Sequence, residues 1–326
     1  MKVYALRLKD KYALYKSSSG GAFTAISDIF LKSNCAIVSA IYNYETNQNE
    51  FRLYTSGEAR DTARGSKYMQ AYPLNSFKEA ENWIKKNNKE LLFVGTGCQA
   101  DGFKMYAKFK KFEDKISIVD IICHGTPSPS LWKDYVGEKI EYLDFKDKRN
   151  GWNSPFAYVV RNGKEVSISN YLDMFYNRCA LRPSCYECPY ASTKREVDIT
   201  IGDFWGIEKV IPDFYKPEGN SLVLVHTKRG QDLFEKIKDK VEWVESDIEH
   251  CLQPNLIKPT EKPLKRERFW KDYKEKGISY ITKKYTGKTF MTRAKYKIGF
   301  IKERIFEKSW GGVSTRTFPS LWREAV

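Results

Sequence analysis

Two thiols three residues apart, in Cys185-Tyr186-Glu187-Cys188-Pro189, form the pattern in this chain best suited to chemistry. Thiolates at that spacing on a turn can grip one tetrahedral centre, and the following proline stiffens the loop. The spacing serves zinc and iron–sulfur chemistry equally, and two ordinary free or buried thiols are the plain alternative. One pair does not close a four-ligand site, so the remaining ligands must come from Cys98, Cys123 and Cys179. Cys98 lies in the turn Gly95-Thr96-Gly97-Cys98-Gln99, and Cys123 in the turn Cys123-His124-Gly125, each directly after an apolar run that reads as a strand. Loops leaving the carboxyl ends of neighbouring strands share one crevice in open α/β sheets. Cys98 and Cys123 therefore point into one space and complete a set of four with Cys185 and Cys188. Cys35, inside a strand, and Cys251, ahead of Gln253-Pro254-Asn255, read as structural, as isolated cysteines usually are. Closed zinc sites usually take their thiolates as two close pairs. One close pair joined by two solitary upstream cysteines is more usual for a cluster seated in a folded cleft.

The elements that must position these residues are legible in outline. Ser17-Ser18-Ser19-Gly20-Gly21 precedes Phe23, Ile26, Ile29 and Phe30 at helical spacing, so a small-residue turn opens an amphipathic helix. Residues 35–42, 91–94, 116–122, 197–201 and 221–226 are short, apolar and β-branched, and read as strands. Ser76 and Glu79 have the spacing of a capping box for a helix carrying Ala80, Trp83 and Ile84. Gln231 to Val241 reads as another helix, and Asn162-Gly163 as a tight hairpin turn. Strands alternating with helices predict an α/β fold with a mixed, mostly parallel sheet flanked by helices, the hairpin supplying the antiparallel component. Past Pro259 the alternation stops and the chain becomes lysine-rich, with breaks at Gly277, Gly287 and Gly311-Gly312. The expected division is a redox core over residues 1–257 and a basic, mostly helical extension over 258–326.

Composition narrows the function classes. With 326 residues, 41% of them hydrophobic, the chain can bury a substantial core. No apolar run is long enough to span a bilayer, and the first residues lack the apolar stretch of a secretion signal, so a cytoplasmic location is expected, with peripheral contact to the inner membrane face as an option. Seven cysteines in such a setting argue for ligation, catalysis or burial and against a disulfide framework. The net charge of +15 is concentrated: residues 258–308 hold 17 Lys and Arg against 6 Asp and Glu. Such a tail suits an acidic partner or a membrane surface, or is a solvated helical face; no nucleic-acid role is expected from it.

Several motifs occur in an order that identifies a family. They are Ser18-Ser19-Gly20-Gly21-Ala22-Phe23, Gly65-Ser66-Lys67-Tyr68, the Cys98 turn, Asp120-Ile121-Ile122-Cys123-His124-Gly125, and Asp198 to Gly206 with Asp203-Phe204-Trp205 inside it. The sequence resembles the family of coenzyme F-420 hydrogenase/dehydrogenase beta subunits over residues 17–206, and its later region, 269–287, resembles the subgroup found with bacterial surface-polysaccharide genes. The resemblance implies a flavoprotein oxidoreductase with FAD and a [4Fe-4S] cluster, in which Cys98, Cys123, Cys185 and Cys188 match the cluster cysteines and Cys179 matches nothing. Relatives with a ferredoxin-like segment carry their own electron relay. This chain opens directly on the serine-glycine turn, so a separate electron donor is expected, either ferredoxin-like or a hydride-carrying coenzyme. For the flavin diphosphate, Ser18, Ser19, Gly20 and Gly21 at a helix start offer backbone N–H donors. Gly65, Ser66, Lys67 and Tyr68 add a cation and an aromatic ring, and Thr96 and Trp205 lie at strand ends. His124 and Asp203 are the catalytic candidates, the histidine as proton shuttle or hydrogen-bond donor to cluster sulfur.

Two other readings compete. Gly95-x-Gly97-x-x-Ala100 follows a strand and opens a helix, and Asp120 lies near the position of a ribose-binding acid, as in NAD(P)-binding dehydrogenases. Asp120, however, sits within its strand and not at the end of it. The other is a zinc-stapled, non-enzymatic basic interaction protein whose cysteines serve the fold alone.

Overall fold

The apolar runs assemble into one central sheet in the computed structural model, which describes residues 1–287 apart from 74, 150, 153 and 155. The strands are β1 (Lys2–Leu8), β2 (Ala36–Asn43), β3 (Gln48–Tyr54), β4 (Ala71–Tyr72), β5 (Leu91–Thr96), β6 (Ile116–Ile121), β7 (Tyr142–Asp144), β8 (Tyr158–Arg161), β9 (Lys164–Ser167), β10 (Ile199–Asp203), β11 (Ser221–Val225) and β12 (Val241–Ser246). Nine of them form a mixed sheet in the order β12-β1-β11-β10-β6-β5-β2-β3-β4. The run β10, β6, β5, β2 is parallel throughout. Helices are α1 (Lys11–Tyr15), α2 (Ala22–Lys32), α3 (Gly57–Asp61), α4 (Ser76–Asn87), α5 (Gly97–Phe109), α6 (Pro129–Val136), α7 (Ser169–Tyr176), α8 (Ile207–Val210), α9 (Lys228–Ile237), α10 (Pro254–Ile257) and α11 (Arg266–Tyr285).

Side chains alternate across a strand, and the burial follows. Ile37, Leu92 and Val94 face a core shared with Ala25, Ile26 and Phe30 of α2 and Phe234 of α9. Their neighbours Ala36, Val38, Leu91 and Phe93 face a second core, with Ala80 and Ile84 of α4 and Ala100 and Phe103 of α5. Both faces are thus covered by helices, which is why these central strands read as unbroken apolar runs. A further cluster gathers Trp132 of α6, Tyr171 and Met174 of α7, Val159 of β8, and Phe269 and Ile281 of α11.

Two sequence expectations need correction. The Asn162-Gly163 hairpin forms, with φ of 49° and 69° at the two residues, but it joins β8 to β9 in a separate three-stranded sheet. The central sheet is mixed for other reasons: β1, β3, β11 and β12 each pair antiparallel with a neighbour. Three of those four strands went unread because they carry charged or amide residues, as in QNEFRLY and VEWVES, which blur the apolar signal. Ser76 and Glu79 make no capping box: Asn75 precedes α4, and the Ser76 hydroxyl donates to Pro73 O at 2.5 Å. The equivalent contact occurs at α5 instead, where Gln99 Oε1 accepts from both the Thr96 N–H at 3.0 Å and the Thr96 hydroxyl at 2.8 Å. The break expected at Gly277 is present as a left-handed residue, φ 75°, inside α11. Gly311-Gly312 and the basic residues beyond Gly287 lie outside the described residues.

Candidate functional site

Strand register brings the site together. Thr96 of β5 pairs with Ile121 of β6, and Ile121 pairs with Ile201 of β10, so the three residues stand in line across adjacent parallel strands. Cys98, Cys123 and Asp203 each follow that line by the same two positions, at the carboxyl edge where such sheets place their ligands. The segment carrying Cys185 and Cys188 is pinned to both cysteine turns. On one side Arg182 N donates to Thr126 O at 3.0 Å, and Pro127 bridges to Leu181. On the other, Tyr190 packs on Gly97, and its hydroxyl donates to Asp101 at 2.6 Å. Pro183 opens a tight 3-10 turn over Pro183–Glu187 that presents Cys185. Gly125 is left-handed, φ 108°, and a side chain there would press on Leu181 and on the Cys185 Cβ.

The four thiols are close enough to feel one another. Burial pushes the Cys123 thiol up to about 12; the Gly125 N–H at 3.4 Å opposes this, while Cys185, Cys98 and Cys188 add to it. Burial also raises Cys188, with Cys98 and Cys185 contributing. Cys98 is exposed, and its sulfur lies 3.3 Å from the Thr96 hydroxyl. Among the described residues, no three His, Cys, Asp or Glu side chains converge on the single point one ion would occupy. Cys35, Cys179 and Cys251 are buried away from this group, Cys179 in the α6–α7–α11 core and Cys251 with its thiol donating to Ile248 O.

Beside the thiols stand the other predicted residues. The His124 ring stacks on Trp205, with centroids 4.8 Å apart and planes 23° apart. Burial lowers its pKa, partly offset by Asn255, Asp203 and Gln253, so the ring is neutral at neutral pH. Asp203 accepts an ion pair from Lys146, and its charge reaches Tyr68, whose phenol is raised well above the ordinary value, chiefly by burial. The Ser18 hydroxyl accepts from the Ser66 hydroxyl at 2.8 Å, which joins the serine-glycine turn to the Gly65–Tyr68 loop.

The turn itself differs from the expected open cradle. Ser17, Ser19, Gly20 and Gly21 are buried, and Ser19 donates to Asn220 O. A Cβ on Gly20 would lie 2.1 Å from Leu6 O and 2.5 Å from Ser221 N, so glycine is required there by the approach to β1 and β11. Ser18 alone among these residues is part-exposed toward Ser66. Lys67, drawn down to about 7 by burial, spends its amine on the carbonyls of Ala63, Arg64 and Gly65 at the end of α3. Lys146 and Lys148 were not anticipated. Lys148 donates to Leu14 O, Ser19 O and Glu218 O, which holds the underside of the turn, and burial draws its amine down to about 7. No motif flags these lysines, because they reach the site from the loop after β7 and not from a strand of the central sheet.

Asp120 is nearly inaccessible and paired with Arg195 at 2.6 Å, and the space a side chain at Gly97 would need is held by Tyr190. The acid that a nucleotide ribose would require is thus already committed inside the sheet.

The chain is similar to the F subunit of the F(420)H(2) dehydrogenase of Methanosarcina mazei, at 23% identity over 232 residues that cover 70% of this chain and 61% of that protein. It therefore spans less than two thirds of that relative's length. The fold is similar to a chain of the F420-reducing [NiFe] hydrogenase complex from Methanosarcina barkeri, with a TM-score of 0.53, 18% identity, and coverage of 87% of this chain and 90% of that one. A family model that describes the C terminus of the coenzyme F420 hydrogenase/dehydrogenase beta subunit matches residues 88–250, the stretch that holds all four site cysteines together with His124, Asp203 and Trp205; the chain belongs to that family.

Proposed function

We propose that the protein is an iron–sulfur flavoprotein oxidoreductase in which Cys98, Cys123, Cys185 and Cys188 hold a [4Fe-4S] cluster beside FAD. The observation that carries this reading is the register that sets Cys98 and Cys123 side by side at two strand tips, with the Cys185/Cys188 turn pinned to Thr126 on one side and packed on Gly97 on the other. In a cubane each thiolate takes a different iron, so the four sulfurs surround a space and need not meet at one point. When bound, the cluster supplies single-electron transfer and the flavin supplies exchange between one- and two-electron steps.

The chain's own residues would bind and orient. Trp205, 43% exposed and backed by His124, offers an aromatic plane next to the thiols. Ser18, Ser66 and Tyr68 would contact the flavin, the two serines being hydrogen-bonded to each other, and Thr96 stands beside the Cys98 sulfur. Asp203 is ion-paired with Lys146, and neutral His124 is able to accept a proton at the site's edge. In this reading residues 1–257 carry the redox chemistry and 258–326 form a basic extension. Electrons arrive from a separate donor, and the physiological setting is surface-polysaccharide synthesis.

Anaerobic purification followed by iron, acid-labile sulfide, zinc and flavin assays tests the proposal. Four irons and four sulfides per chain are expected with FAD; colourless protein with one zinc refutes the reading. Cys98→Ser, Cys123→Ser, Cys185→Ser or Cys188→Ser should each lose most of the iron, while Cys251→Ser keeps it. Equal iron in all five variants contradicts the ligand assignment.

A further inference from the structure

We propose that the segment from Leu252 to Arg268 is the docking surface for a small acidic electron-carrier protein; the inference rests on the iron–sulfur reading above. The segment lies against the Cys123 turn and the Cys185/Cys188 turn and is tied to both. Gln253 donates to Asp203 O at 3.1 Å, and Thr260 donates to the carbonyl of His124, next to Cys123, at 2.9 Å. Arg266 donates to Leu181 O at 3.2 Å and to the hydroxyl of Tyr186, between Cys185 and Cys188, at 3.1 Å.

A backbone held so firmly nevertheless turns aliphatic side chains outward. Leu264 is fully exposed, Ile257 is 61% exposed and Leu252 is 45% exposed. Such area costs roughly 25 cal/mol per Å² in water and rewards whatever covers it. The segment and the cysteine loop to which it is tied carry a positive balance of charge. Residues 178–196 and 251–268 together hold nine Lys and Arg against four Glu, and of the nine only Arg195 is buried in its pair with Asp120. Two of the carboxylates stand among the lysines, Glu261 with Lys258 at 2.5 Å and Glu267 with Lys262 at 2.8 Å.

Exposed aliphatic side chains interspersed with cations along one segment complement a protein of negative surface. A membrane-binding element would instead separate an apolar face from a cationic one along a helix, whereas this segment is largely non-helical before Arg266 and interleaves carboxylates. A carrier on this segment would stand beside Cys123, through the Thr260–His124 contact, and beside Cys185 and Cys188, through the Arg266–Tyr186 contact. The exchange is a single electron: the carrier is oxidised by one and the cluster reduced by one, with no bond or proton moved.

The test uses the full chain, purified anaerobically and assayed for iron and sulfide, with a small acidic bacterial ferredoxin as the binding probe at low and high salt. Affinity should fall with salt. The Lys258→Glu/Lys262→Glu double variant should weaken binding about tenfold, and Leu264→Ser should weaken it without changing the salt slope. Reduction of either variant by dithionite, a small reagent that needs no docking, should match that of the parent. Unchanged affinity in both variants of an iron-loaded chain overturns this inference alone. So does a Leu264→Ser effect confined to capture by phosphatidylglycerol vesicles. A chain without iron and sulfide overturns it together with the reading it rests on.

Discussion

Gly97 carries no side chain because Tyr190 occupies the place one would take, 2.8 Å from an ideal Cβ. Tyr190 follows Cys188 by two residues, so the glycine sets how closely the Cys185/Cys188 turn approaches the Cys98 turn. Gly97→Ala should therefore lower iron and sulfide per chain while circular dichroism reports an unchanged fold; full cluster content would show that the approach is not needed. A second residue-scale prediction concerns Asp120 and Arg195, both nearly inaccessible. Removing one charge leaves the other buried without its partner, which costs about 3–5 kcal/mol. Asp120→Asn should shift the urea midpoint accordingly, and Asp120→Asn combined with Arg195→Met should recover much of the loss. No recovery in the double variant would mean that the pair is not the source.

At the scale of elements, the two sides of the site are held by different means. The central strands position Cys98, Cys123 and Asp203 through backbone register, which side-chain changes disturb little. Lys146, Lys148 and the Cys185/Cys188 turn come from connections, and are fixed by side-chain hydrogen bonds to carbonyls and carboxylates. Residues grouped by the sequence with the basic extension also take part. Phe269 is fully buried among the α6–α7 residues, 5.1 Å from the Tyr285 ring, and Trp270 donates to Cys179 O at 3.0 Å. Phe269→Ala should cost about 3–5 kcal/mol in chemical denaturation, with a single unfolding transition. A loss below about 1 kcal/mol would show that α11 is not part of the cooperative unit.

For the whole molecule, stability should depend on pH through His226. Its Nε2 lies 2.8 Å from the Thr200 hydroxyl, and burial, with the charges of Arg195 and the chain's amino terminus, lowers its pKa to about 4. An unfolded histidine binds its proton near about 6.5. Between those values the unfolded chain holds more protons than the folded one, so stability is full above about 6.5 and is lost as pH falls toward 4. The melting temperature should drop over that window, and His226→Gln should flatten the drop; an identical slope in the variant would assign the titration elsewhere.

The sequence by itself determined the α/β class, the five most apolar strands, the amphipathic helix after the serine-glycine turn and the close spacing of Cys185 and Cys188. Those features are local, since burial on both faces demands continuous apolar runs and ligation demands particular side chains at short spacing. It did not reveal the charged strands toward the two ends of the sheet, the separate sheet of the hairpin, or the reason Gly20 is glycine. Each of these depends on what packs against the residue, and the partners lie far off in the chain: Gly20 meets Leu6 and Ser221, and Lys146 meets Asp203. Tertiary structure also decided which cysteines group. The motif named Cys185 and Cys188, but only register between β5 and β6, and the pinning of a remote turn to both, places Cys98 and Cys123 within electrostatic reach of them.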